Sequence, residues 1–119
     1  MERRYGSTVR TVRILGPRDQ MLRTLVPQTR RERMRGLLGR STLGEGEALF
    51  LERARSIHTV GMRLRISAVL LDRDLVVRSV RHVRPGRLML PRPGTRHVLE
   101  CAEGVDLQPG DRLRIVGAG

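Results

Sequence analysis

The chain has no lysine and no tryptophan, and its only aromatic rings besides histidine are those of Tyr5 and Phe50. The core must therefore be assembled from Leu, Val, Ile, Met and Ala. A surface that binds single-stranded nucleic acid by stacking bases lacks the aromatic platforms it would need. Cys101 is the one cysteine, so no intrachain disulfide is possible and nothing points to an oxidising compartment. No segment approaches the roughly 20 apolar residues of a membrane helix. Met1 to Ser7 has no apolar stretch behind it, so the sequence predicts a cytoplasmic chain with no secretory leader and no membrane span. Phosphate-binding loops, dinucleotide fingerprints and nucleophile elbows are missing. Three histidines and one cysteine are too dispersed for a metal set, which needs three or four convergent ligands. Neither metal nor cofactor is expected.

What is present is a 119-residue chain with an ordinary apolar fraction of 39%, sized for a single core. All 24 basic residues are Arg against 12 acids, a formal net charge of +12. Such a field attracts polyanions, and a compositional preference for Arg over Lys would produce the same excess. The arginines are scattered except for one cluster, Arg30, Arg31, Arg33, Arg35 and Arg40.

Residues 1–7 read as a flexible polar tail and 8–119 as one domain. Thr8 to Leu15 is rich in β-branched residues and stops at the turn signal Gly16-Pro17-Arg18-Asp19, with Met21 to Val26 as its hairpin partner. Thr29 and Glu32 form a capping box. Met34, Leu37 and Leu38 then make an apolar stripe, predicting one amphipathic helix over 29–39. Gly36 inside it suits close packing of helix on sheet. Further strands are expected at Ala48–Leu51, Ser56–Met62, Ile66–Asp72, Leu75–Val83, His97–Cys101 and Asp111–Val116. Pro109-Gly110 has the form of a type II turn, in which Gly110 takes φ > 0, and Asp111 is placed to tie that turn to a nearby backbone group. About eight short strands and one helix predict a mainly β (α+β) fold, a small closed or nearly closed β-barrel, since closure removes sheet edges.

Several motifs follow one another along the chain. Arg33-Met34-Arg35-Gly36-Leu37-Leu38-Gly39-Arg40 precedes Ala48-Leu49-Phe50-Leu51 and Ser56-Ile57-His58-Thr59-Val60-Gly61-Met62-Arg63. Val69-Leu70-Leu71-Asp72, Pro85-Gly86-Arg87, Val98-Leu99-Glu100, Ala102-Glu103-Gly104 and Gly110-Asp111 follow. In this order they resemble the domain of unknown function 192 family, across about Arg30 to Val116. The resemblance implies a small β-rich domain and no particular activity. Similar sequences carry Pro-Ile-Asp or Pro-Leu-Asp after Met-Arg, whereas this chain has Ser67 where that Asp would stand. Ser67 supplies no carboxylate, so a site using that Asp would be altered or lost here.

The polar cluster His58, Thr59, Met62 and Arg63 lies where a loop enters an apolar strand. Imidazole titrates near neutral pH, and a guanidinium fork suits carboxylate or phosphate. Glu100, between Leu99 and Cys101, would need a partner if it faced inward, and an arginine is the natural one. The leading expectation is a non-enzymatic binding or accessory module for a small anionic ligand, with its site at His58, Thr59, Met62, Arg63 and Glu100. One alternative is an enzyme using His58 as acid or base, which needs a second titratable group beside it. The other is an Arg-rich binder of nucleic acid or acidic protein, acting through Arg30, Arg31, Arg33, Arg35 and Arg40.

Overall fold

A computed structural model describes residues 10–27, 43–53, 57–58, 65–84, 88–89 and 92–118. Among these the chain forms nine strands and no helix. The strands are β1 (Arg10–Leu15), β2 (Met21–Val26), β3 (Glu47–Leu51), β4 (Ile57–His58), β5 (Ile66–Leu71), β6 (Val77–Val83), β7 (Leu88–Met89), β8 (His97–Ala102) and β9 (Arg114–Ala118). Seven of them make one sheet in the order β6-β5-β8-β3-β2-β1-β9, and β4 pairs with β7 in a second. The helix expected at 29–39 lies outside the described residues.

Hairpin grammar accounts for much of this. β1 and β2 pair antiparallel from Arg10 opposite Val26 to Leu15 opposite Met21, across the Gly16–Gln20 turn, where Asp19 takes a φ of 65°. β5 and β6 pair antiparallel around Asp72-Arg73-Asp74. No glycine is needed in that turn because Asp72 Oδ1 accepts the N–H groups of Asp74 and Val76, while Leu75 takes the left-handed φ of 63°. All six residues of β5 are buried, as befits an unbroken apolar run with a sheet neighbour on both sides. The period of two then divides the core. Val69 and Leu71 join Phe50, Leu99 and Cys101 on one face, while Ile66, Ala68 and Leu70 join Leu49, Leu51 and Val98 on the other.

The sheet does not close into a barrel, contrary to the expectation from strand number. Its two edges, β6 and β9, are not paired along their lengths. They meet only at one corner, through the bridge between Val76 and Arg112. There Val77 N–H bonds to Asp111 O at 2.8 Å and Leu113 N–H to Leu75 O at 2.9 Å. Beyond that corner the chain leaves β6 and pairs with β1 instead, Leu15 opposite Arg114. This diversion is why β9 begins at Arg114 rather than Asp111. The edge strand β6 carries Arg78 and Arg81, charges that discourage edge-to-edge pairing without closure. Among the described residues no helix is long and apolar enough to cross a membrane.

Candidate functional site

β8 runs between β5 and β3, and its register sets Glu100 opposite Ala68 on one side and Leu49 on the other. Glu100 therefore stands in the apolar cluster of Leu49, Ile66, Leu70 and Val98, at 5% exposure. No described residue hydrogen-bonds or ion-pairs with it. Burial alone pushes its carboxyl up to about 8, so the group is neutral at pH 7. A neutral carboxyl offers one O–H donor and a carbonyl acceptor.

Two further polar side chains share this face. Ala68 also lies opposite Arg81 in β6, so Arg81, Ala68 and Glu100 form one row across three strands, with only a methyl side chain between the two polar positions. One step along, Ser79 lies opposite Leu70, and its buried Oγ has no hydrogen-bond partner among the described residues. Buried polar atoms without partners cost about 1–3 kcal/mol each and call for a reason. Arg81 and Ser79 were not singled out in the sequence, although alternation along Leu75–Val83 places both on one side of the strand.

His58 is in β4, opposite Leu88. Thr59, Met62, Arg63, Gly36 and the cluster Arg30, Arg31, Arg33, Arg35 and Arg40 lie outside the described residues. Gly110 adopts φ 97°. Asp111 Oδ2 accepts the Gln108 N–H at 3.0 Å, and its carboxylate receives Arg18 at 3.0 and 2.7 Å. The Arg18 guanidinium beside it holds the Asp111 carboxyl below the usual carboxylate range. Nothing local foretold Arg18 as the partner, since it lies at the other end of the chain.

Ser67 is on the face opposite Glu100, because its neighbour Ala68 is the residue paired with Glu100, whereas Ser67 pairs with Cys101. Fully buried, its Oγ accepts the Gly104 N–H at 3.3 Å and shares a 3.2 Å hydrogen bond with His82 Nδ1. The side chains at positions 67 and 100 therefore lie on opposite faces of the sheet. Ser67→Ala leaves the Gly104 N–H without this acceptor, and about 1 kcal/mol of stability should be lost, measurable as a lower urea midpoint at unchanged slope.

His97 accepts the Arg53 N–H through Nδ1 at 3.0 Å and stacks at a tilt on Phe50, ring centroids 5.2 Å apart. Burial lowers its pKa, and its role is to fix the turn after β3. Burial likewise pushes the Cys101 thiol up to about 12. Since the thiolate is the reactive form, Cys101 should resist iodoacetamide at pH 8 in the folded chain and react promptly in denaturant. Among the described residues no group of three His, Cys, Asp or Glu could hold a metal. A groove of about 270 Å³ opens where β2 and β3 begin and β8 ends, lined by Met21, Glu45, Glu103 and Asp106 among others.

A mainly β fold whose larger, open sheet has apolar residues packed on both faces and a buried neutral carboxyl on one of them defines a small β-rich domain without a complete catalytic set among its described residues. By its sequence, the chain belongs to the domain of unknown function 192 family (DUF192), an uncharacterised conserved group whose family model matches residues 13–115. The fold is shared with a protein of unknown function from Novosphingobium aromaticivorans, at 22% identity and a TM-score of 0.74 over 89% of this chain and 84% of that one. It is also shared with a candidate transcription regulator from Sinorhizobium meliloti, at 18% identity and a TM-score of 0.75 over 91% and 94%. No curated protein matches the chain.

Proposed function

We propose that this domain is a non-enzymatic binding module for a small anion, with the Glu100 carboxyl as its polar centre and Arg81 as its cation. The observation that carries the reading is the position of Glu100: 5% exposed, among aliphatic side chains, with no partner among the described residues. A protonated carboxyl donates to an anionic oxygen, and a guanidinium in the same row neutralises the charge. Ser79 Oγ supplies a further hydroxyl on that face. The segment holding His58, Thr59, Met62 and Arg63 belongs to the same proposal as a source of additional ligand contacts.

An enzymatic reading needs an acid and a base within reach of one another. Among the described residues the one His–hydroxyl pair, His82 with Ser67, includes a fully buried Ser67, and no acid or base hydrogen-bonds or ion-pairs with Glu100. The binding reading is therefore favoured. Heteronuclear NMR of the chain titrated with acetate, phosphate, glyoxylate and short dicarboxylates tests it. Saturable shifts at Glu100, Arg81 and Ser79 that vanish in Arg81→Gln are expected. Shifts for none of these anions, or shifts confined to other arginines, would contradict it.

A further inference from the structure

A second set of side chains, on the same sheet face as Glu100 but carried by β2, β1 and β9, has its own chemistry. Across β2-β1-β9, the register sets Arg13 opposite Arg23, and Leu15 between Met21 and Arg114. Because cross-strand partners and alternate residues share a face, Arg13, Arg23 and Arg114 lie together with Met21, Leu15 and Val116. All three arginines are exposed, and Met21, at 54%, is the more exposed of the two large hydrophobics that stand out from the surface among the described residues. Like charges directly opposite each other destabilise a sheet. Arg13 and Arg23 have no ion pair among the described residues, unlike Arg10 with Glu52 and Arg18 with Asp106 and Asp111.

The groove at the strand ends supplies the opposite sign. Met21 forms part of its wall, and Glu45, Glu103 and Asp106 rim it. Glu45 and Glu103 are exposed and have no ion pair among the described residues. On a chain of net charge +12, a concentration of carboxylates beside unpaired arginines is an arrangement that composition alone does not favour. Met21 lies at the boundary between the two patches.

We infer that this face docks a second copy of the same chain in a two-fold dimer. The Arg13/Arg23 patch of each copy meets the Glu45/Glu103 rim of the other, with Met21 against Met21 near the axis. A two-fold contact uses the same surface on both partners, so each patch must find its complement on that surface. Here the complement adjoins it. A standard interface takes about 800 Å² from each partner, about a tenth of a small protein's surface. Opposed charges give such a contact its register, and the central apolar side chain gives it stability.

Sedimentation velocity on the full chain at 5–200 μM, in 50 and 500 mM NaCl, tests the dimer. The chain should dimerise at low salt and do so less at high salt. Met21→Asp should weaken association at least tenfold. The double variants Arg13→Glu/Arg23→Glu and Glu45→Arg/Glu103→Arg should each be monomeric, since each sets like charges against each other. Mixed in equal amounts they should associate, because every contact is then complementary. That recovery also shows both variants to be folded. A chain monomeric at 200 μM in 50 mM NaCl overturns the inference. So does a dimer indifferent to Met21→Asp, or a mixture that stays monomeric while each variant keeps the parent melting behaviour. Retention of a 20-base-pair DNA duplex through Arg13 and Arg23 by a monomeric chain would assign the face to nucleic acid instead.

Discussion

Glu100→Gln should abolish a loss of about 2 kcal/mol in stability that the parent chain suffers between pH 6.5 and 8. The carboxyl has a pKa raised from 4.5 to about 8 in the folded state. Between those values the unfolded chain releases a proton that the folded chain retains, so folding weakens as pH rises. The contribution is intact below pH 4.5 and is lost as pH climbs through the folded value. At about 1.4 kcal/mol per pH unit the full span amounts to about 5 kcal/mol. Other perturbed groups among the described residues leave the upper part of the window clear. His97, with its lowered pKa, acts below 6.5, Asp111 lower still, and Cys101, raised from 9.0, above 9. Gln is similar in size to the protonated carboxyl and does not titrate. The variant should therefore match the parent near pH 4 and exceed it by up to about 5 kcal/mol at pH 9. Urea denaturation at half-unit pH steps measures both curves. Parallel curves would mean that Glu100 is ionised in the folded chain.

Asp111→Ala should cost about 3 kcal/mol, the largest loss expected from any single polar truncation among the described residues. Asp111 receives three hydrogen bonds, two from Arg18 and one from the Gln108 N–H, and its side chain is 8% exposed against 40% for that of Arg18. Alanine strips the acceptor from a part-buried backbone N–H and from a guanidinium fork together, and such losses account for the large tail of mutational effects. The same carboxylate holds the turn at Gly16–Gln20 against the approach to β9, where Gln20 Nε2 also donates to Asp106 O at 2.7 Å. Asp111→Asn keeps one acceptor and should lose less than half as much. Because the Asp111 pKa is lowered, its stabilisation holds above the ordinary carboxylate value and is lost as pH falls below it. The deficit of Asp111→Ala should accordingly shrink toward pH 2, and guanidinium titrations at pH 7 and pH 2.5 would show whether it does.

Local order was legible wherever a pattern was local. The β1–β2 hairpin, the unbroken apolar run of β5, its return through β6, and the β8 strand all follow from alternation and turn residues within a dozen positions. Closure was not legible, because it depends on which neighbour β9 selects, and that choice is made by Asp111 and Leu113 bonding to residues around Val77 before Arg114 reaches β1. The two-residue β7 is too short to carry a period. Glu100 could be marked as inward-facing from its place between Leu99 and Cys101. That no arginine among the described residues pairs with it could not, since this depends on Arg81 being two strands away across Ala68. Ser67 lies on the face opposite Glu100, as a shift of one residue along β5 turns the side chain to the other side of the sheet.

The central claim is that Glu100 is a neutral, buried carboxyl available to a small anion. Carbon-13 detection of its carboxyl through a pH titration, with and without saturating acetate, addresses it directly. A midpoint of about 8 in the free chain, moving upward when the anion binds because the proton is then shared with a second carboxylate, is the predicted result. A midpoint near 4.5, or one that the anion leaves unmoved, would contradict it.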